Sequence, residues 1–156
     1  MNFAYLLLGS NIQPEQNIPL ALNALVPPQV TILAQSQIWK TPSVGSPGPD
    51  FLNQAIHIAS PLGEQELKFS YLRKLEENLG RVRTVDKNAP RTIDLDIIVF
   101  NGKVLDPNLW AHAHIAIPLA ELIPNLPTAY YGLSLAEVAR RLNVTGVARL
   151  FSTHWA

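Results

Sequence analysis

The stretch that most limits what this chain can fold into is residues 92–105, where two strand-like runs flank the dipeptide Asn101-Gly102. Asn-Gly at that place marks a two-residue hairpin turn, because both central residues must take positive φ. Residues 92–100 and Lys103-Val104-Leu105 are therefore antiparallel neighbours, and the rest of the chain has to be arranged around such a sheet. Thirteen prolines cut that remainder into short elements. Residues 3–8 read as a buried strand ending in Gly9-Ser10-Asn11. Pro14 and Glu15 open a helix carrying Ile18, Ala21, Leu22 and Leu25, which Pro27-Pro28 stops. Over residues 30–39, Val30, Ile32, Ala34 and Ile38 alternate with Thr31, Gln35 and Gln37, the period of a second strand. A Pro- and Gly-rich loop over 41–49 precedes a strand at 51–58. A helix follows over 63–79 with the stripe Leu67, Leu72, Leu75 and Leu79, and Gly80 is its left-handed stop. Ser134-Leu135-Ala136-Glu137 fits a capping box that starts a helix reaching Leu142. The resulting order, βαββαβ, predicts one α/β (α+β) domain over residues 1–156. Its core is ferredoxin-like, with helices on one face of an antiparallel sheet and a C-terminal extension.

Inside the hairpin strand lies Asp94-Leu95-Asp96. Residues two apart on a strand share a face, so the carboxylates project together while Ile93, Leu95 and Ile97 project into the opposite layer. Two carboxylates side by side repel, and apolar flanks raise the cost of ionising both unless a cation intervenes. Magnesium suits such a pair, since it takes oxygen ligands, keeps several waters and needs one or two carboxylates plus substrate phosphates. Alone, an Asp-x-Asp pair is as consistent with a solvated sheet face. The basic cluster Arg81, Arg83, Lys87 and Arg91 just upstream changes that balance, because the whole chain has only twelve Lys and Arg. Guanidinium groups beside a metal-binding pair point to a polyphosphate as the shared partner.

Twelve basic residues balance twelve acidic ones, so no net field draws the protein to nucleic acid or anionic lipid, and cysteine is absent. A P-loop sequence is also missing, which leaves phosphate binding to arginines and metal. The N-terminal run is too short for a signal peptide, and no stretch approaches the roughly 20 apolar residues that span a bilayer. A cytoplasmic protein, binding neither nucleic acid nor membrane, is expected. Among other polar candidates, His112 and His114 have i,i+2 spacing but no third ligand nearby, which favours surface or phosphate-contact roles. His57 reads as structural, Phe51 as core more often than ligand platform, and Glu76 as a residue of a solvated helix face that could reach the basic segment.

The run Lys87-Asn88-Ala89-Pro90-Arg91-Thr92-Ile93-Asp94-Leu95-Asp96-Ile97-Ile98 resembles the signature of the 6-hydroxymethyl-7,8-dihydropterin pyrophosphokinase family. Gly9-Ser10-Asn11, Thr41-Pro42, Asp50-Phe51-Leu52-Asn53 and Glu76 ahead of Gly80-Arg81-Val82-Arg83 stand in the same order as in that family. The resemblance implies transfer of an intact diphosphate from ATP to the pterin hydroxymethyl group, releasing AMP, in folate synthesis. It also implies two Mg²⁺ ions held by Asp94 and Asp96, with Arg81 and Arg91 on the phosphates. Glu76, Arg83, Lys87, Ile97 and His112 would complete the ATP site. Gly9, Thr41, Pro42, Val44, Phe51, Asn53, Asp94 and His114 would form the pterin site, in a protein expected to act as a monomer on small molecules. Asn88 departs from the family, many members of which place tryptophan there on a closing loop. The segment 110–117 is also several residues short, so His112 and His114 fall where an arginine and a stacking phenylalanine are usual. A degenerate relative that binds without turnover is the competing expectation. An RNA-binding module fits less well, since no aromatic run is flanked by basic residues.

Overall fold

The computed structural model describes residues 1–45, 47–82, 91–128 and 132–155. Along the chain come β1 (Asn2–Ser10), α1 (Pro14–Ala24), β2 (Thr31–Gln35), β3 (Ile38–Thr41) and β4 (Phe51–Ser60). A π-helical stretch, Glu66–Leu72, then runs straight into α2 (Arg73–Asn78). After these follow β5 (Asp94–Phe100), β6 (Lys103–Val104), a 3₁₀ turn at Pro107–Trp110, α3 (Ala113–Leu122), α4 (Leu135–Leu142) and β7 (Arg149–Ser152). The strands form one seven-stranded sheet ordered β6-β5-β1-β4-β3-β7, with β2 also paired to β4, and every pairing is antiparallel. The ferredoxin-like order is thus present, with β1 at its centre between β4 and β5. Among the described residues no helix is long and apolar enough to cross a membrane.

The local chemistry explains most of these elements. Asn101 and Gly102 take φ of 47° and 82°, as the hairpin requires, and Phe100 pairs with Lys103 across the turn. The Ser134 hydroxyl accepts from the Glu137 amide at 3.3 Å and so caps α4. One strand was expected over residues 30–39, but the chain forms two. Between them, Ser36 donates its amide to Ala55 O and accepts from Ala55 N with its hydroxyl, both at 2.9 Å. That side chain takes the place of a ladder bond, and a register shift between Ile32 and Ala34 breaks the alternation that the sequence suggested.

Helices cover both faces of the sheet, not one. Ala4, Leu6 and Leu8 of β1 pack with Ile18 and Ala21 of α1, with Leu67, Leu72 and Leu75, and with Ile93, Leu95 and Ile97. Leu7 points the other way, where Ala55, Ile98 and Val99 meet Leu109, Ile115, Ala116 and Leu119, with Leu135 and Ala139 of α4 beneath. α3 escaped the sequence reading because Pro118 interrupts its apolar run, yet Pro118 lies inside the helix and is buried. Burial of Ile115, Ala116 and Leu119 against the sheet outweighs the one hydrogen bond a proline removes. The C-terminal half of α3 is fastened by Glu121, which accepts from Trp39 Nε1 at 2.6 Å and from the Gln37 amide at 3.2 Å. Its N-terminal end then reaches over the open part of the second face.

Candidate active site

Strand register assembles the site on that second face. Across the three central strands, Asn53 lies opposite Gly9 and Gly9 opposite Asp94; one step along, Ala55 faces Leu7 and Leu7 faces Asp96. Directly opposed residues in an antiparallel pair project to the same side, so both aspartates, Gly9 and Asn53 share one surface. Thr41 pairs with Phe51 and Trp39 with Asn53, which extends the row onto β3. Of these, Leu7, Gly9, Thr41, Phe51, Asn53, Asp94 and Asp96 floor a cleft of about 270 Å³.

Gly9 leaves that floor low. A Cβ there would stand 3.4 Å from Asn53 Oδ1 and 3.8 Å from the Phe51 ring, so the backbone has room but the cleft would lose depth. Asn53 is buried, and its Nδ2 donates to Thr41 Oγ1 at 2.8 Å. The bond leaves the amide oxygen over Gly9, where it can accept from a ligand edge. Pro42 and Val44, from the Pro-rich loop, form the near wall. Asn11 joins that loop to Arg91 at the acidic end. Its Nδ2 donates to Pro49 O at 3.3 Å, while its Oδ1 accepts from the Arg91 amide at 2.7 Å.

At the acidic end, Asp94 is held from both sides. Arg81 Nη1 donates to its Oδ1 at 2.6 Å and Arg91 Nη1 to its Oδ2 at 2.7 Å. Arg81 is placed by the end of α2. Gly80, at φ 90°, makes the left-handed cap that the sequence suggested; its amide bonds Glu77 O, and the Arg81 amide bonds Glu76 O at 3.0 Å. That paired bonding is a Schellman motif, and it turns Arg81 back toward β5. Burial lowers the Arg81 pKa, but Asp94 and then Glu76 outweigh it and hold the guanidinium raised.

Asp96 is exposed on the cleft side, at the floor of a concave lining. Burial, then repulsion from Asp94, Glu76 and Asp106, pushes its pKa up to about 8, with Arg81 relieving only part. A carboxyl so placed calls for a cation. Among the described residues no three His, Asp or Glu stand close enough to hold a metal by themselves. The donor set is therefore two carboxylates with open coordination, which matches an ion that completes its shell with water and phosphate.

All the residues that the resemblance assigns to the pterin, namely Gly9, Thr41, Pro42, Val44, Phe51, Asn53, Asp94 and His114, line this cleft, as do Arg91 and His112. Others stand elsewhere. The Ile97 side chain is in the core with Leu95, because it points to the α1 face. Glu76 is not on a solvated helix face but buried behind β5. Arg83, Lys87 and Asn88 lie outside the described residues. The sequence reading missed Asp106 and Asn108, which line the far wall, where Asp106 Oδ1 accepts from the Asn108 amide at 3.0 Å. An Asp-Pro pair opening a 3₁₀ turn was the available signal. His112 and His114 complete this wall with ring centroids 5.5 Å apart. Burial, then His112, lowers the His114 pKa to about 4, so its imidazole is neutral.

Known proteins resemble this chain in sequence and in fold. The profile of the family 7,8-dihydro-6-hydroxymethylpterin-pyrophosphokinase (HPPK) matches residues 5–124. The 2-amino-4-hydroxy-6-hydroxymethyldihydropteridine pyrophosphokinase of Bacillus subtilis is 34% identical over 132 residues, covering 78% of each chain. The Pseudomonas aeruginosa protein of that name is 32% identical over 157 residues, covering 94% of this chain and 95% of its own. In structure, the Plasmodium falciparum HPPK-DHPS protein matches with a TM-score of 0.73 at 11% identity, over 96% of this chain but only 44% of its own. The chain thus spans less than half of that larger protein, and the likeness there is one of fold. The sheet register, the aspartate pair with its arginines, and the match over most of the sequence lead to one statement: this chain belongs to the 7,8-dihydro-6-hydroxymethylpterin-pyrophosphokinase family.

Proposed function

We propose that this protein transfers diphosphate from ATP to the hydroxymethyl oxygen of 6-hydroxymethyl-7,8-dihydropterin, with Mg²⁺, as a step of folate synthesis. The observation that carries the reading is the shared floor: a ring-sized cleft over Gly9, Asn53 and Phe51 ends at Asp94 and Asp96, with Arg81 and Arg91 immediately beside them. The ring lies over Gly9 against Phe51, an aromatic contact of about 0.5–1.5 kcal/mol beyond burial. Asn53 Oδ1 and the Thr41 segment read its polar edge. That placement directs the hydroxymethyl arm along the row toward the aspartates.

In the transfer, the hydroxymethyl oxygen forms a bond to the β-phosphorus of ATP. The bond from that phosphorus to the α–β bridging oxygen breaks, AMP leaves with the bridging oxygen, and the hydroxyl proton is released. Asp94 and Asp96 are the residues that would hold Mg²⁺, two ions by the family's pattern; bound there, the metal neutralises phosphate charge and the repulsion between the carboxylates. Arg81 and Arg91 supply the remaining positive charge. Both now neutralise Asp94, so each is already aligned and partly desolvated at the place where phosphate oxygens arrive. A monomer is proposed as the working unit, and its use of ATP supports the cytoplasm as its place of action.

The test is to mix purified protein, MgATP and 6-hydroxymethyl-7,8-dihydropterin and to follow the products. AMP and diphosphorylated pterin in equal amounts are expected. ADP as the nucleotide product, or AMP formation that does not depend on pterin, would overturn the assignment.

A further inference from the structure

Glu76 is 3% exposed, and its carboxylate does not line the cleft. Its Oε2 accepts from the Leu95 backbone N–H at 2.7 Å and from Arg81 Nη1 at 2.9 Å. Leu95 is the residue between the two aspartates. The backbone carbonyl of Glu76 also accepts from the Arg81 amide at 3.0 Å. One residue therefore grips Arg81 at the main chain and at the guanidinium, and grips the strand that carries the carboxylate pair.

A buried carboxylate is costly unless fully paired, and apolar residues would join α2 to β5 more cheaply. Its chemical result is a guanidinium shared between two acids: the same Nη1 reaches Asp94 Oδ1 at 2.6 Å. When Asp94 takes a cation, it loses its claim on that nitrogen. Glu76 does not, because its own bond to Leu95 keeps it in place. We infer that Glu76 is a positioning residue, which holds the Arg81 guanidinium against the aspartate pair throughout the reaction and acts on diphosphate transfer through Arg81, not by binding nucleotide itself. This rests on the activity proposed above and replaces the nucleotide-contact role expected for Glu76 from the sequence.

Glu76→Gln is the informative variant, because the amide keeps the shape and an acceptor for the Leu95 N–H but loses the charge that fixes Arg81. Pterin-dependent AMP formation is measured first on the unaltered protein, then on Glu76→Gln, Arg81→Ala and the double variant. Nucleotide affinity is measured separately with α,β-methylene-ATP, in which the bond to be broken is replaced, and folding by thermal unfolding. We expect Glu76→Gln to stay folded and to lose about 10- to 100-fold in kcat, the range for a misplaced charged group. Its affinity for the analogue should change by less than about threefold, and in the Arg81→Ala background it should have no further effect, as coupled residues behave. About tenfold weaker analogue binding at unchanged kcat would make Glu76 a nucleotide ligand and overturn the inference. Unchanged kcat and affinity, or losses that multiply in the double variant, would overturn it too. Absence of pterin-dependent AMP from the unaltered protein would instead refute the activity reading, and the inference with it.

Discussion

The floor and the far wall of the cleft are built by different means. The floor comes from three adjacent strands, and its key side chains are placed by register: Asn53 opposite Gly9, Gly9 opposite Asp94, Leu7 opposite Asp96. Backbone bonds on both sides of β1 lock that pattern. The far wall comes from a short 3₁₀ turn and the first turn of α3, where Asp106, Asn108, His112 and His114 are set by local caps and by the docking of one helix. Chemistry that needs fixed distances sits on the first; the second is free to vary in which ligand edge it meets. If this contrast holds, changes in the floor should damage catalysis or substrate fit strongly, and changes in the wall should tune affinity.

The most severe test is Asp96→Asn. Removing one carboxylate of the pair should lower turnover by at least about 10²- to 10³-fold, the scale seen when a charge-stabilising group is lost. The same variant should make the metal-free protein more stable at pH 9. The Asp96 pKa is raised to about 8 from 3.8, so the folded state holds an extra proton between those values, and stability is lost progressively as pH rises from about 3.8 to 8 and stays lost above it. A gain of about 2–4 °C in Tm at pH 9, and little at pH 4, is expected for a chain of this size. Equal stability at both pH values would show that the pair is not strained.

Next comes Gly9→Ala. A methyl group there makes only ordinary contacts with Asn53 and Phe51, so folding should persist while the cleft loses depth. Pterin KM should rise about tenfold with ATP KM unchanged, in line with 1–3 kcal/mol for overfilling a packed site. Unchanged pterin KM would mean the ring does not lie over Gly9. Phe51→Leu keeps apolar bulk but removes the aromatic face, and about a 2- to 10-fold loss of pterin affinity is expected by equilibrium binding.

The smallest effect belongs to the wall. His114→Gln should change turnover less than about threefold at pH 7, because the imidazole is already neutral there. Its acid response is more telling. The folded pKa is lowered to about 4 from 6.5, so the unfolded chain takes up the proton first, and stability is lost as pH falls from about 6.5 toward 4. His114→Gln should flatten that part of the stability curve in urea titrations. A variant with undiminished acid sensitivity would place its origin elsewhere.

Much of the floor could be read from residue order, because strand periodicity and the Asn101-Gly102 turn determine which side chains share a face without any tertiary information. Asp94, Asp96 and the hairpin are the plainest cases, and the Ser134 cap and the Gly80 stop follow equally from local chemistry. The wall resisted for the opposite reason. Pro118 disguised α3, whose existence depends on burial against a sheet that sequence periodicity does not display. The division of residues 30–39 turns on a single hydroxyl, Ser36, standing in for a ladder bond. Ile97 was assigned to ATP by family position although its alternation with Asp96 sends its side chain into the core. Glu76 looked solvated because three-dimensional pairing with Leu95 and Arg81 spans nineteen and five positions of sequence and leaves no periodic trace.

The register of β1 also bears on how this protein can change over evolutionary time. Inserting or deleting one residue in β1, β4 or β5 would turn every following side chain to the other face and scatter Gly9, Asn53 and the aspartates between two layers. Those strands accept substitutions more readily than changes of length, and the one extra residue in β5, at Ile98, lies beyond the aspartates, where it leaves their register intact. The connection from Asp106 to His112 carries no such constraint, since a turn and a helix start can be shortened without disturbing the sheet beneath. Length changes in that segment would alter contacts to the substrate while the aspartates and their arginines stay in place.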